Sequence, residues 1–382
     1  MSLTTPYSFP LNHLYWFLGA RDINLRELIV KQDMRVTHLL FLVLFVGAGA
    51  LSPRGASADP KSQTDRLFNR LAGRPLPLDD PRRAQIEGLL SQGKKIEAAR
   101  IASSDQGFLN YTVRQFAAPM SNRSESARVP LNDFIAMFIG VTRDDIDARE
   151  LLKGNFLYIG NANDSSFRSA CLAANSAKSA ISCNYSPSQA TSMAHFTAID
   201  RLDLGKYLVK ISPQRPDIQD AAGVLTTYAW AASFFSAGTN RRATAYAFQE
   251  FLCTPIQSLA DTSIPDYRVR RDVDRAPGGD SQTYQTECRG CHAQMDALSG
   301  AWAHFDNQTS LQSASIRDKM NQNNTVFPGG FVTRDNSWVN LFSHNQNAAL
   351  QWQGSMTGDG VRELGTMFGN SGAFPRCMAK RA

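Results

Sequence analysis

Cys288-Arg289-Gly290-Cys291-His292 is the feature that most constrains this chain. Cysteines three residues apart project from one face of a helical turn, and the C-x-x-C-H run is the attachment spacing of c-type haem. Each thiol can take one vinyl group of the porphyrin as a thioether. The histidine that follows is then held under the iron as its proximal ligand. Two other readings share the residues: half of a zinc site, or a redox dithiol. Zinc asks for a second Cys/His pair at similar spacing, and the sequence has no other C-x-x-C and no H-x-x-x-H. A thioredoxin-type dithiol asks for a strand before it. Here Ala276–Asp280, with Pro277, Gly278 and Gly279, reads as a loop, followed by a cap at Asp280 or Ser281 and a polar helical turn.

Haem c is normally attached outside the cytoplasm, so the N-terminus has to agree. Residues 39–51 are an apolar run, Lys31 and Arg35 precede it, and Ala56-Ser57-Ala58 follows. A basic segment, a short apolar segment and an A-x-A site make a secretory signal with cleavage before Asp59. The run is short for a membrane span, and an uncleaved anchor is the alternative. Met34 is the natural start of that signal. Residues 1–33 therefore read as a non-native upstream extension and 34–58 as the signal, and both are set aside from fold reasoning. The expected location is periplasmic or otherwise exported, with no integral membrane span after cleavage.

Residues 59–382 keep 35 of the 40 Lys and Arg and 31 of the 34 Asp and Glu, a net charge of +4. That mild balance, without a Lys/Arg block, gives no nucleic-acid signature. Arg268, Arg270, Arg271 and Arg275, interrupted by Asp272 and Asp274, read as a solvated loop or a surface for an acidic redox partner. Setting aside Cys288 and Cys291 leaves Cys171, Cys183, Cys253 and Cys377, an even number that an oxidising compartment would pair. Four cysteines allow three connectivities. Cys171–Cys183 closing a short loop, with Cys253–Cys377 tying mid-chain to the end, is the expected one.

The pattern predicts a mainly α protein: a helical domain of unknown role over 59–270, then a small cytochrome c-like helical domain over 271–382. Helices are expected from Asp80-Pro81 to Gly93, over 94–102, and over 131–139 stopping at Gly140. A capping box at Thr142–Asp145 should start another, with Asp144, Asp145 and Asp147 as helix-start charges. Asn240 should cap 241–252. Tyr207–Ile211 reads as a strand and Asn161–Asn184 as a loop held by the short bridge. Pro265–Asp280 reads as a linker. A polar helix is expected near Ser313–Asn321 and the last helix at Val361–Phe368, capped by Asp359.

Ala222-Gly-Val-Leu-Thr226, Asn240-Arg-Arg242 and Phe251-Leu-Cys-Thr-Pro255 resemble the uncharacterised domains that accompany planctomycete-type cytochrome c. In that family a Cys-x-x-Cys-His run is followed by Asp-Pro-Leu-Gly and Phe-Asp. Here Met295-Asp-Ala-Leu-Ser-Gly300 and Phe305-Asp306 stand in those places, with Ala297 for the proline and Ser299 intervening. Phe374-Pro-Arg-Cys377 resembles the Phe-x-x-Cys of the associated C-terminal domain. The resemblance spans 220–382 and, more weakly, 130–160. It implies a haem-bearing, mostly helical exported protein and no particular reaction.

An electron carrier needs a second axial ligand on iron, Met or His. Met356, in the Gly-rich loop Trp352–Gly358 before the last helix, is the candidate. Met320, Met367 and Met378 are the competing methionines, and five-coordinate iron is the further option. Met367 reads foremost as core packing. The other histidines of this part are His195, His304 and His344; His304 reads as a core or surface residue and His344 as a solvated loop residue. Three functions follow. The first is an exported monohaem c-type cytochrome, holding one covalent haem c through Cys288, Cys291 and His292 and passing electrons to an unknown redox partner protein. The second is a haem-dependent oxidoreductase or peroxidase with an open iron position. The third is a non-enzymatic periplasmic binding module.

Overall fold

The structure, a computed structural model, describes residues 59–175, 180–186, 189–216, 218, 220–235, 240–308, 313–316, 329–344 and 347–382. The expected signal segment, the expected upstream extension and Met320 lie outside the described residues. The chain is mainly α, 58 % helical with few short strands. Among the described residues no helix is long and apolar enough to cross a membrane.

Asp59 accepts the Ser62 amide at 2.9 Å and opens α1 (Pro60–Ala72), with proline in its first turn. α2 (Arg82–Ser91) starts where Asp80 accepts the Arg82 amide, and α3 (Lys95–Ser103) packs on both. α4 (Asp133–Arg143), capped by Asn132, runs straight through Gly140, where an end was expected. The glycine serves packing instead: a Cβ there would lie 2.2 Å from the Tyr158 ring. Tyr158 sits on β1 (Leu157–Gly160), which pairs antiparallel with the expected strand, β2 (Leu208–Ile211).

Other expectations give way. The predicted capping box at Thr142–Asp145 instead finishes α4; Asp144 accepts from the Arg143 guanidinium and the Tyr158 hydroxyl, and only a short helix, Glu150–Lys153, follows before Gly154. The predicted loop after Asn161 contains α5 (Ser165–Ala174), because Asp164 accepts the Ser166 and Phe167 amides. α6 (Gln189–Ile199) follows.

Asp133, buried in α4, accepts the Tyr228 and Ala229 amides at 2.6 and 3.0 Å and so helps fix the start of α7 (Tyr228–Phe234). Phe134 and Trp230 then stack, ring centroids 6.2 Å apart, with Phe251 of α8 (Arg241–Leu252) against both. Asn240 precedes α8 in the left-handed region (φ 53°) and makes no side-chain cap.

α9 (Arg289–Ser299) carries the end of the C-x-x-C-H motif. β3 (Phe305–Gln308) and β4 (Ser313–Ile316) form a hairpin where the start of a polar helix was expected. β5 (Ser337–Val339) pairs with β6 (Thr357–Asp359). α10 (Gly360–Asn370) is capped by Asp220, whose carboxylate accepts the Val361 and Arg362 amides, rather than by Asp359. α11 (Ala373–Arg381) follows, so α10 is not the last helix. Phe248 of α8 packs on Phe342, Trp352 and Phe368, so the main apolar cluster draws on both sides of residue 270. Both expected disulfides are present, Cys171–Cys183 and Cys253–Cys377.

Candidate functional site

The C-x-x-C-H motif lies on a helical run that begins where Asp280 accepts the Gln282 amide at 2.8 Å. The run passes through a wide π turn at Tyr284–Cys288 and continues as α9. Such turns re-aim side chains and are frequent at functional sites; here the turn ends on the first cysteine of the motif. Cys288 and Cys291 are the two free thiols, each half-buried. Cys288 packs on a small apolar cluster that includes Val269, Tyr284, Ala293 and Leu341, whereas Cys291 packs on the main core. The pair therefore sits at a seam between two apolar surfaces. Burial pushes the Cys291 thiol up, with a further contribution from Cys288. That is opposite to the lowered value that makes a dithiol an efficient redox nucleophile.

His292 follows directly, its side chain 27 % exposed. Its Nδ1 is buried without a hydrogen-bond partner and lies 3.7 Å from Asp296 Oδ1, one turn along α9. Asp296 is fully buried and held on three sides. Arg241 donates from Nε to Oδ1 at 2.5 Å and from Nη2 to Oδ2 at 2.9 Å, and the Arg270 amide donates to Oδ2 at 3.0 Å. The same Arg241 fork holds Asp272 at 2.7 and 2.9 Å. Burial would push the Asp296 carboxyl up, but the nearby His292 imidazole and the bonds and charge of Arg241 outweigh it and hold the group far below the carboxylate range. Arg241 is held above its ordinary value: burial opposes its charge, and the two carboxylates overcome that.

The expected solvated loop at 268–275 is thus corrected. Arg270 is 2 % exposed and Asp272 lies against Arg241, because the buried ion network needs these charges inside. Sequence reasoning did not assign Asp296, Arg241 or Asp272 to the site. A carboxylate four residues after the motif histidine, on the same helix face, was the available signal; the partners from residues 241 and 272 had none.

Two of the segments quoted for the family resemblance, at Asn240 and at Phe305, meet just after α9. Asn240 Nδ2 donates to the carbonyls of Trp302 (3.0 Å) and Phe305 (2.6 Å), and Trp302 Nε1 donates to Thr244 at 3.1 Å. Gly223 (φ 52°) abuts the Leu151 carbonyl, where a Cβ would lie 2.1 Å away.

Among the candidate axial ligands, Met356 and Met367 come together: buried Asn340 donates from Nδ2 toward both sulfurs, at 3.5 and 3.3 Å. The Asn340 amide also binds the Met356 carbonyl at 2.7 Å. Asn340 lies between β5 and the turn Leu341–Ser343, both of which pack on α9. Met378 is buried in the core on α11. His344 is exposed in a turn and His304 is half-buried. His195 is a satisfied core residue: Nε2 accepts the Gly160 amide at 2.9 Å and Nδ1 lies 3.1 Å from the Ser182 carbonyl. Among the described residues, no cluster of three or more His, Cys, Asp or Glu is arranged to hold a metal ion. A cavity of about 240 Å³ lies between α4, α6 and α7, lined by none of the motif residues.

The motif residues fit a c-type haem: two adjacent free thiols at an apolar seam, and an imidazole whose Nδ1 turns toward a buried carboxylate, leaving Nε2 for iron. Compared with known protein families, with curated proteins and with solved structures, the chain matches none.

Proposed function

We propose that this chain is an exported monohaem c-type cytochrome that transfers electrons, built like the domains that accompany planctomycete-type cytochrome c, with residues 271–382 as a small cytochrome c-like domain. The observation that carries the reading is the partition of the cysteines. Four pair as disulfides, and the two of the C-x-x-C-H motif stay free and half-buried, four residues and one residue ahead of a partly exposed histidine. Disulfides belong to oxidising compartments, which agrees with the signal-like N-terminus.

Haem c, when bound, supplies one-electron chemistry at its iron. Cys288 and Cys291 would hold it as thioethers, and His292 would give the proximal nitrogen. Met356 would be the second residue to hold the iron, with Asn340 donating toward its thioether. The core packing of Met367 leaves Met356, at the edge of the β5–β6 pair, as the more accessible methionine. The buried carboxylate behind His292 favours the second reading, a haem-dependent oxidoreductase with an open iron position, because an anionic partner makes imidazole a stronger donor.

The test is expression of the full chain in a periplasm with haem-maturation proteins. The wild type should keep its haem stain on a denaturing gel, and Cys288→Ala or Cys291→Ala should weaken it. An unstained wild type overturns the proposal.

A further inference from the structure

Arg241 and Asp296 are neither thioether nor iron ligands, yet they form a buried ion pair immediately behind the motif histidine. A histidine that gives Nε2 to a metal carries its proton on Nδ1, and that proton needs an acceptor. His292 Nδ1 is buried without a hydrogen-bond partner, and Asp296 Oδ1 stands 3.7 Å away. Such hydrogen bonds are often long before the ligand binds and tighten with it. The Asp296 side chain is fully enclosed, fixed by two bonds from Arg241 and one from the Arg270 amide. Arg241 is itself anchored by Asp272. The acceptor is thus pinned by segments distant in sequence, from the start of α8 and from the stretch before α9.

We infer that the Arg241–Asp296 pair positions His292, with Asp296 accepting the Nδ1 proton's hydrogen bond and strengthening Nε2 as a donor to ferric iron. This rests on the haem c reading of Cys288, Cys291 and His292. Asp296 and Arg241 are positioning residues. Arg241 and the buried Arg270 share the carboxylate's charge, so the expected effect is modest.

The experiment compares full-length wild type, Asp296→Asn and Arg241→Lys, all matured with haem, by denaturing-gel stain and by spectroelectrochemical titration. All three should stain. Asp296→Asn keeps the shape and removes the charge, so it should favour ferrous over ferric iron about tenfold, a rise of about 59 mV for one electron. Arg241→Lys keeps the charge and loses the fork, and should shift the potential the same way by less. A stained Asp296→Asn protein with the wild-type potential overturns the inference and leaves the haem reading standing. An unstained wild type overturns both. If Asp296→Asn does not fold, an unchanged potential in Arg241→Lys overturns the inference.

Discussion

Replacing both Cys253 and Cys377 by alanine would release the longest covalent constraint in the fold. The bridge closes a span of 124 residues, against 12 for Cys171–Cys183. In the chain-entropy description, a crosslink stabilises by limiting the unfolded chain, and the effect grows with the logarithm of loop length. The long bridge is then worth about 5 kcal/mol and the short one about 3 kcal/mol. The native contacts around the long bridge do not depend on it: α8 packs on α11, and Arg381 pairs with Glu250 at 2.8 Å. The double variant should therefore fold to the same structure with a lower urea midpoint and an extrapolated loss of several kcal/mol. The Cys171/Cys183 double variant should lose roughly 2 kcal/mol less. Urea titration followed by circular dichroism gives both numbers. A long-bridge loss under about 1 kcal/mol, or one smaller than the short-bridge loss, would refute the loop-closure argument.

Burial pushes the His195 imidazole from its ordinary 6.5 down to about 4. The site's contribution is therefore complete above pH 6.5 and is lost as pH falls through about 4, a change of order 3 kcal/mol, which urea midpoints between pH 7 and pH 4 should show and His195→Gln should flatten. Gly140→Ala, a better helix former, should nevertheless destabilise by about 1–3 kcal/mol, because its Cβ meets the Tyr158 ring; a raised thermal midpoint would contradict that packing. Met356→Ala should abolish the weak near-infrared sulfur-to-iron band of the ferric protein, and Asn340→Ala should weaken it. A band that survives Met356→Ala moves the ligand to Met367 or Met320, and a wild type that is already high-spin favours the open-site oxidoreductase.

What could be read along the chain was local. The helix at 82–91 followed from Asp80 and an apolar stripe, α8 from its periodicity, and the motif from five consecutive residues. The disulfide pairing followed from parity and spacing. Each rests on neighbours in sequence, where helical geometry and loop closure apply directly. Other features depended on partners the chain brings from far away. Gly140 looked like a stop and is a contact for Tyr158 on a strand. The cap of α10 comes from Asp220, not from Asp359 beside it. The charges at 270–272 looked solvated, and the fold places them against Arg241 and Asp296. A glycine reads the same whether it ends a helix or admits a ring, and a charge reads the same in water or in a buried pair. Those choices are made by close packing and by the cost of burying an unpaired charge, and both are settled only when distant segments meet.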